Sequence, residues 1–231
     1  MKTIGMIGGL SWESTAEYYR IVNQKVKKRL GGLHSAKCVM FSVDFHDIET
    51  LQYQNQWDEA GRLLADAAGK VEKGGADFFI ICTNTMHKVA DFVQQHVQIP
   101  FLHIADPTAK KIKAAGIQKI ALLGTRFTMM EDFYKGKLVR DHGLTVIIPS
   151  DAEMGIIHKV IYDELCLGIV KDSSRDQYTE TIDHLVKRGA EGVILGCTEI
   201  GLLIKKGDSQ IPVFDTTVIH AEAAVDYALP E

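Results

Sequence analysis

Short, nearly all-apolar runs recur along this chain, each followed by a longer stretch with helical periodicity. Thr3–Ile7, Lys37–Val43, Phe78–Ile81, Pro100–Ile104, Lys119–Leu123, Thr145–Ile148, Gly192–Leu195 and Pro212–Phe214 read as strands. Ser14–Arg29, Trp57–Lys73, Lys88–His96, Pro107–Ala115, Glu131–Asp141, Ala152–Leu165, Ser174–Arg188 and Thr217–Ala228 read as helices. Strands without polar alternation are buried on both faces. With helices between them they predict an α/β fold built on mainly parallel sheets flanked by helices.

The order also repeats within the chain. Ile4-Gly5-Met6-Ile7-Gly8-Gly9 matches Ile120-Ala121-Leu122-Leu123-Gly124-Thr125, and Ile99-Pro100-Phe101-Leu102 matches Ile211-Pro212-Val213-Phe214. Between them, Phe78-Phe79-Ile80-Ile81-Cys82-Thr83 matches Gly192-Val193-Ile194-Leu195-Gly196-Cys197. A repeat of half the chain predicts two pseudosymmetric lobes. Ligands of such sheets bind beyond the carboxyl ends of the strands, so one active site is expected between the lobes.

A net charge of −4 without a basic cluster gives no sign of a nucleic-acid face. The basic run Lys25, Lys27, Lys28, Arg29 ends a helical pattern, where cations complement the helix dipole. No run of about 18 apolar residues suggests a membrane span, and the first residues enter a strand without a signal-peptide pattern. Four scattered cysteines (Cys38, Cys82, Cys166, Cys197) without C-x-x-C fit free thiols in a reducing cytoplasm and predict no metal centre.

Cys197 ends a buried-type strand just before an apparent helix start at Thr198-Glu199-Ile200. There a thiolate would be stabilised by the helix dipole and by backbone N–H groups; the plain alternative is an inert buried cysteine. Thr83-Asn84-Thr85 ends the equivalent strand. It can hold a carboxylate through N–H groups and side chains, or simply cap a helix. Thr125 and Thr198 invite the same two readings. Side chains alternate along a strand, so Cys82 and Thr83 point to opposite sides.

Gly5-Met6-Ile7-Gly8-Gly9-Leu10 departs from G-x-G-x-x-G, and a tight strand-to-helix turn explains its glycines. Asp44, His46 and Asp47 follow a strand, either as loop residues or near the cleft, and Gln52 reaches the same region. His87 is either a hydrogen-bonded helix histidine or a support for the site. Cys166, at a helix end before Gly168, reads as packing.

Gly8-Gly9-Leu10-Ser11-Trp12-Glu13-Ser14-Thr15, Thr83-Asn84-Thr85-Met86-His87, Glu164-Leu165-Cys166-Leu167-Gly168 and Gly196-Cys197-Thr198-Glu199 together resemble the aspartate/glutamate racemase family over essentially the whole chain. The wording is most similar to its enterobacterial L-aspartate/glutamate racemases. The resemblance implies racemisation without pyridoxal phosphate or any other cofactor, using two cysteines as acid and base, commonly in a homodimer. It also implies an exchange of strands. The segment around Pro100–Ile104 would join the second lobe (99–208), and the last strand and helix would return to the first (1–98 plus 209–231).

This sequence departs from the family pattern at the first cysteine, where Thr83 stands. Cys82 is one residue out of phase, and a slip would reverse its direction. The expectation is therefore a small amino acid as substrate, Cys197 as thiolate base and Thr83 as opposing acid, with unequal directions and L-selectivity. Gln52, Asn84, Thr85, Thr125, Thr198 and Glu199 are expected around the substrate. Glu199 would either bind the ammonium or cap a helix. Cys166 stands where aspartate racemases often carry Lys, which loosens aspartate specificity. A broad-specificity amino-acid racemase, an arylmalonate-type decarboxylase and a non-catalytic amino-acid-binding protein are the other readings.

Overall fold

A computed structural model describes residues 1–230 and divides them into two compact units, Met1–Ile104 with His220 onward, and Ala105–Ile219. Each is built on a parallel sheet.

In the first unit β1 (Ile4–Gly8) lies between β2 (Cys38–Ser42) and β3 (Phe78–Ile81), in parallel register with Ile4 beside both Cys38 and Phe78. β1 and β3 are buried along their whole length, as their unbroken apolar runs require. The helix α1 (Trp12–Leu30) is capped by Ser11, whose Oγ accepts from the Ser14 N–H at 3.4 Å. Its last turn carries Lys27, Lys28 and Arg29, so the basic run is a helix end as expected. A helix the sequence reading missed, α2 (Phe45–Tyr53), follows β2 and is capped by the Asp44 carboxylate on the His46 N–H at 3.0 Å. Next, α3 (Trp57–Lys73) buries Ala60, Leu64, Ala67, Ala68 and Val71 against Ile7, Phe79 and Ile81. Each fully buried large aliphatic or aromatic side chain here contributes about 1.5–3 kcal/mol. After β3 the chain forms a 3-10 turn, Thr85–Val89, and the short α4 (Ala90–Gln94), where one helix over 88–96 was expected.

The second unit opens with α5 (Ala105–Ala114) and carries β4 (Lys119–Gly124) between β5 (Thr145–Ile147) and β6 (Gly192–Gly196). β7 (Val213–Asp215) adds a fourth strand beside β6. Two short helices, α6 (Arg126–Met130) and α7 (Lys135–Arg140), replace the single one expected over 131–141. The helix α8 (Asp151–Asp163) starts in a Ser150/Glu153 capping box, and α9 (Asp172–Lys187) leads to β6. After β6 come α10 (Ile200–Leu203) and, following β7, α11 (Thr216–Ala228), which is divided between the units.

The repeat is visible in the backbone. The Phe79 N–H donates to the Pro100 carbonyl at 2.9 Å, and the Val193 N–H donates to the Pro212 carbonyl at 2.9 Å. This also corrects the strand exchange. Segment 100–104 forms a single parallel bridge from Phe101 to Phe79 in the first sheet, and β7 pairs with β6 in the second. In each half the strand returns to its own sheet because its predecessor offers a free edge in matching register.

β1 ends in a turn only glycine fits. Gly9 has φ +82°, and a Cβ there would come within 2.0 Å of the Val43 carbonyl oxygen. The Gly9 N–H donates to Thr15 Oγ1 at 2.8 Å, locking the turn to α1. Gly9→Ala is accordingly expected to cost more than about 2 kcal/mol of stability, seen as a lower urea midpoint. An unchanged midpoint would contradict this account of the turn.

Candidate active site

In each unit, residues singled out by sequence lie at or beside the carboxyl end of its sheet.

In the first unit β3 runs out at Ile81, and the next two residues part company. Cys82 is wholly buried, while Thr83 is half-exposed. The two residues thus differ in burial, and desolvation pushes the Cys82 thiol far above the ordinary range. Cys82 is held from behind: its carbonyl accepts from Ser14 Oγ at 3.2 Å, and its N–H donates to the Ile7 carbonyl at 2.9 Å. The Thr83 N–H closes a three-residue turn on the Ile81 carbonyl at 2.9 Å. Asn84 and Thr85 are buried at the start of the 3-10 turn. Asn84 makes no side-chain capping bond, so the plain capping reading fails for it. Gln52, buried on α2, donates to Met86 Sδ at 3.0 Å and so sits against the same turn. His87 is buried beneath it.

In the second unit the ends of β4 and β6 are pinched together. A Cβ on Gly124 would lie 2.8 Å from the Gly196 carbonyl oxygen, and one on Gly196 would lie 2.8 Å from that of Leu123. Gly124 pairs with Gly196, so Thr125 and Cys197 leave the sheet as neighbours. Thr125 is a true helix cap, accepting from the Thr128 N–H at 3.3 Å. The turn after β6 is braced by the end of β7, where Thr216 Oγ1 donates to the Leu195 carbonyl at 2.8 Å.

Cys197 is buried, and its Sγ donates to Glu199 Oε2 at 2.9 Å. The same oxygen accepts from Thr198 Oγ1 at 2.8 Å. Glu199 makes no capping bond to the following helix, which removes the capping alternative. This geometry corrects one sequence expectation. Desolvation, then the Glu199 carboxylate, push the Cys197 thiol well above its usual range, against a smaller opposing pull from the Glu199 backbone N–H. A helix dipole does little here because α10 has only four residues. The resting site thus holds a thiol shared with a carboxylate.

One neighbour of Cys197 escaped the sequence reading. Tyr178 on α9 is buried, with its hydroxyl donating to the Ile157 carbonyl at 3.0 Å; desolvation, and then Cys197, push its ionisation up. Cys166 is half-buried in the 3-10 turn Leu165–Leu167. Tyr178 lies far from Cys197 in sequence, and no local pattern announces it. Among the described residues no cluster of His, Cys, Asp and Glu is arranged to hold a metal ion, and no helix is long and apolar enough to cross a membrane.

A family model described as Asp/Glu/Hydantoin racemase matches residues 7–224. A crystal structure from Yersinia pestis, provisionally named an Asp/Glu racemase, is 54% identical, covers 99% of this chain and 100% of its own, and has a TM-score of 0.92. An aspartate racemase homologue from Pyrococcus horikoshii OT3 is 34% identical, with 99% of each chain covered and a TM-score of 0.85. The broad-specificity amino-acid racemase RacX of Bacillus subtilis (strain 168) is 24% identical over 229 residues, 96% of each chain.

Proposed function

This chain belongs to the Asp/Glu/hydantoin racemase family and is an isomerase; from that premise we propose that it inverts aspartate and glutamate at the α-carbon without a cofactor, with Cys197 and Thr83 as the opposed proton-transfer groups. One observation carries the choice of Thr83. In the first sheet Ile7 pairs with Ile81, which sets Gly8 beside Cys82; in the second, Gly124 pairs with Gly196. Gly8 and Gly124 are repeat equivalents, so Thr83 matches Cys197 and Cys82 matches Gly196.

The raised thiol refines the base. Cys197 need not be a free thiolate. As its sulfur takes the α-proton from the L-substrate, its own proton passes to Glu199 Oε2, already 2.9 Å away. The Cα–H bond breaks and an S–H bond forms; the old S–H bond breaks and an O–H bond forms on Glu199. The pair carries one negative charge before the step and none after it. The electron pair left on Cα is stabilised by donors around the substrate carboxylate, for which Asn84, Thr85 and Thr198 are suited, with Gln52 and Thr125 at the margins. A good preorganised donor contributes on the order of 3 kcal/mol. Thr83 then gives its hydroxyl proton to the opposite face while taking one from water, which its partial exposure allows; the hydroxide left is neutralised when Glu199 releases its proton, restoring the resting pair.

A hydroxyl is a far weaker base than this thiol pair, so the reaction is asymmetric. The asymmetry cannot lie in kcat/KM for inversion, because enantiomers have equal free energies. It lies in exchange: Cys197 can remove and return a proton on the L-face without Thr83. NMR in deuterated buffer should therefore show L-aspartate or L-glutamate losing its α-proton faster than the D-form appears, and D-substrates exchanging at least about tenfold more slowly. Equal exchange from both enantiomers would overturn the assignment of Thr83, and no exchange from either would overturn racemisation.

A further inference from the structure

Three histidines distant in sequence meet in the first unit. The His87 ring centroid lies 4.6 Å from that of His103 and 5.9 Å from that of His220. Phe101 packs against His87 at 5.3 Å. The hydrogen bonds fix the tautomers. The Ile104 N–H donates to His87 Nε2 at 3.1 Å, so the proton of the neutral ring is on Nδ1. His220 Nε2 donates to the Leu102 carbonyl at 2.8 Å, leaving its Nδ1 to accept from the Tyr18 hydroxyl at 2.9 Å. Segment 102–104 is thereby gripped on one side by α11 and α1 and on the other by His87.

His87 Nδ1 is buried without a hydrogen-bond partner, so the ring is held through Nε2. The His87 backbone N–H also donates to the Asn84 carbonyl at 3.0 Å. His87 is itself part of the 3-10 turn Thr85–Val89, so its side-chain bond to the Ile104 N–H ties that turn to segment 102–104. Burial and the neighbouring His103 and His220 keep this ring neutral, so the clamp does not titrate near neutral pH.

We infer that His87 is a positioning residue for inversion: its imidazole, anchored on the Ile104 N–H, fixes the Thr83–Asn84 turn so that the Thr83 hydroxyl is aimed. The inference rests on the proposed role of Thr83. It predicts an unequal defect: L-face exchange by Cys197 does not use Thr83 and loses only the part that Asn84 and Thr85 in the same turn contribute at the substrate carboxylate.

The test compares His87→Phe, which keeps the ring volume but loses both nitrogens, with His87→Gln, which keeps an acceptor for Ile104. Two rates are read on L-aspartate in deuterated buffer: deuterium entry into the remaining L-form and appearance of the D-form. Hydrogen exchange of residues 82–89 is measured alongside. In His87→Phe we expect D-form appearance to fall by about 30-fold, exchange with retention to fall by no more than about fivefold, and deuterium uptake in 82–89 to rise; His87→Gln should recover most of both. A parallel fall in both rates, or no change in either, would overturn the positioning role. If the wild-type protein exchanges no α-proton, racemisation fails, and the hydrogen-exchange arm alone decides the clamp: unchanged uptake in 82–89 refutes it.

Discussion

Cys197→Ser is expected to lower α-proton exchange from L-aspartate and L-glutamate by about 10⁴-fold, near the upper range for loss of an acid–base group. The substitution is nearly isosteric and keeps a hydroxyl that can donate to Glu199, so the fold and the hydrogen bond at that position survive. What is lost is basicity, since a serine hydroxyl accepts a carbon-bound proton far less readily than sulfur does. Circular dichroism and thermal unfolding would establish that the variant is folded. Exchange within tenfold of wild type would show that another group removes the proton. Cys82 would not be that group, because it is wholly buried and its thiol is pushed far above the ordinary range.

Glu199→Gln separates the proton relay from simple hydrogen bonding. The amide oxygen can still accept from Thr198 Oγ1 and Cys197 Sγ, as the carboxylate does at 2.8 and 2.9 Å. It cannot take a proton at neutral pH. Exchange from the L-substrate should fall by about 100-fold at pH 7.5 and then climb with pH, because Cys197 must now lose its proton to water before it can act. The reactivity of the thiol should move the opposite way. The Glu199 charge helps to hold the Cys197 thiol up, so removing it lowers the pKa and speeds alkylation by iodoacetamide at a given pH. A Cys197→Ser control subtracts the half-buried Cys38 and Cys166. Full activity in Glu199→Gln would reduce Glu199 to a hydrogen-bond acceptor.

Much of this architecture is written locally. β1, β3, β4 and β6 are unbroken apolar runs because both faces of each are covered, and that pattern survives in one dimension. The match of Thr83 to Cys197 can be read the same way, from the internal repeat. Elements that depend on short-range competition are harder to read. The nine residues of α2 give too few turns for periodicity to stand out, and the Asp44 cap is its only strong signal. The ionisation of Cys197 lies beyond any local pattern: α10 stops after four residues, and burial and the Glu199 carboxylate outweigh whatever dipole remains. The meeting of His87, His103 and His220 is a product of tertiary structure, joining segments with no shared motif.

The division of α11 has a consequence for how the chain is made. The first unit is interrupted at Ile104 and resumes only at His220, after the second unit has been spelled out. Its closing contacts come from that late segment: the Lys2 N–H donates to the Ala228 carbonyl at 2.9 Å, Lys25 pairs with Asp226 at 2.7 Å, and the Tyr18 hydroxyl meets His220. During synthesis the inserted unit therefore has all its strands before the host unit has its last helix. The half bearing Cys197 is the first that can complete itself, and the half bearing Thr83 must wait, open along one side, until the segment from His220 to Ala228 has been added.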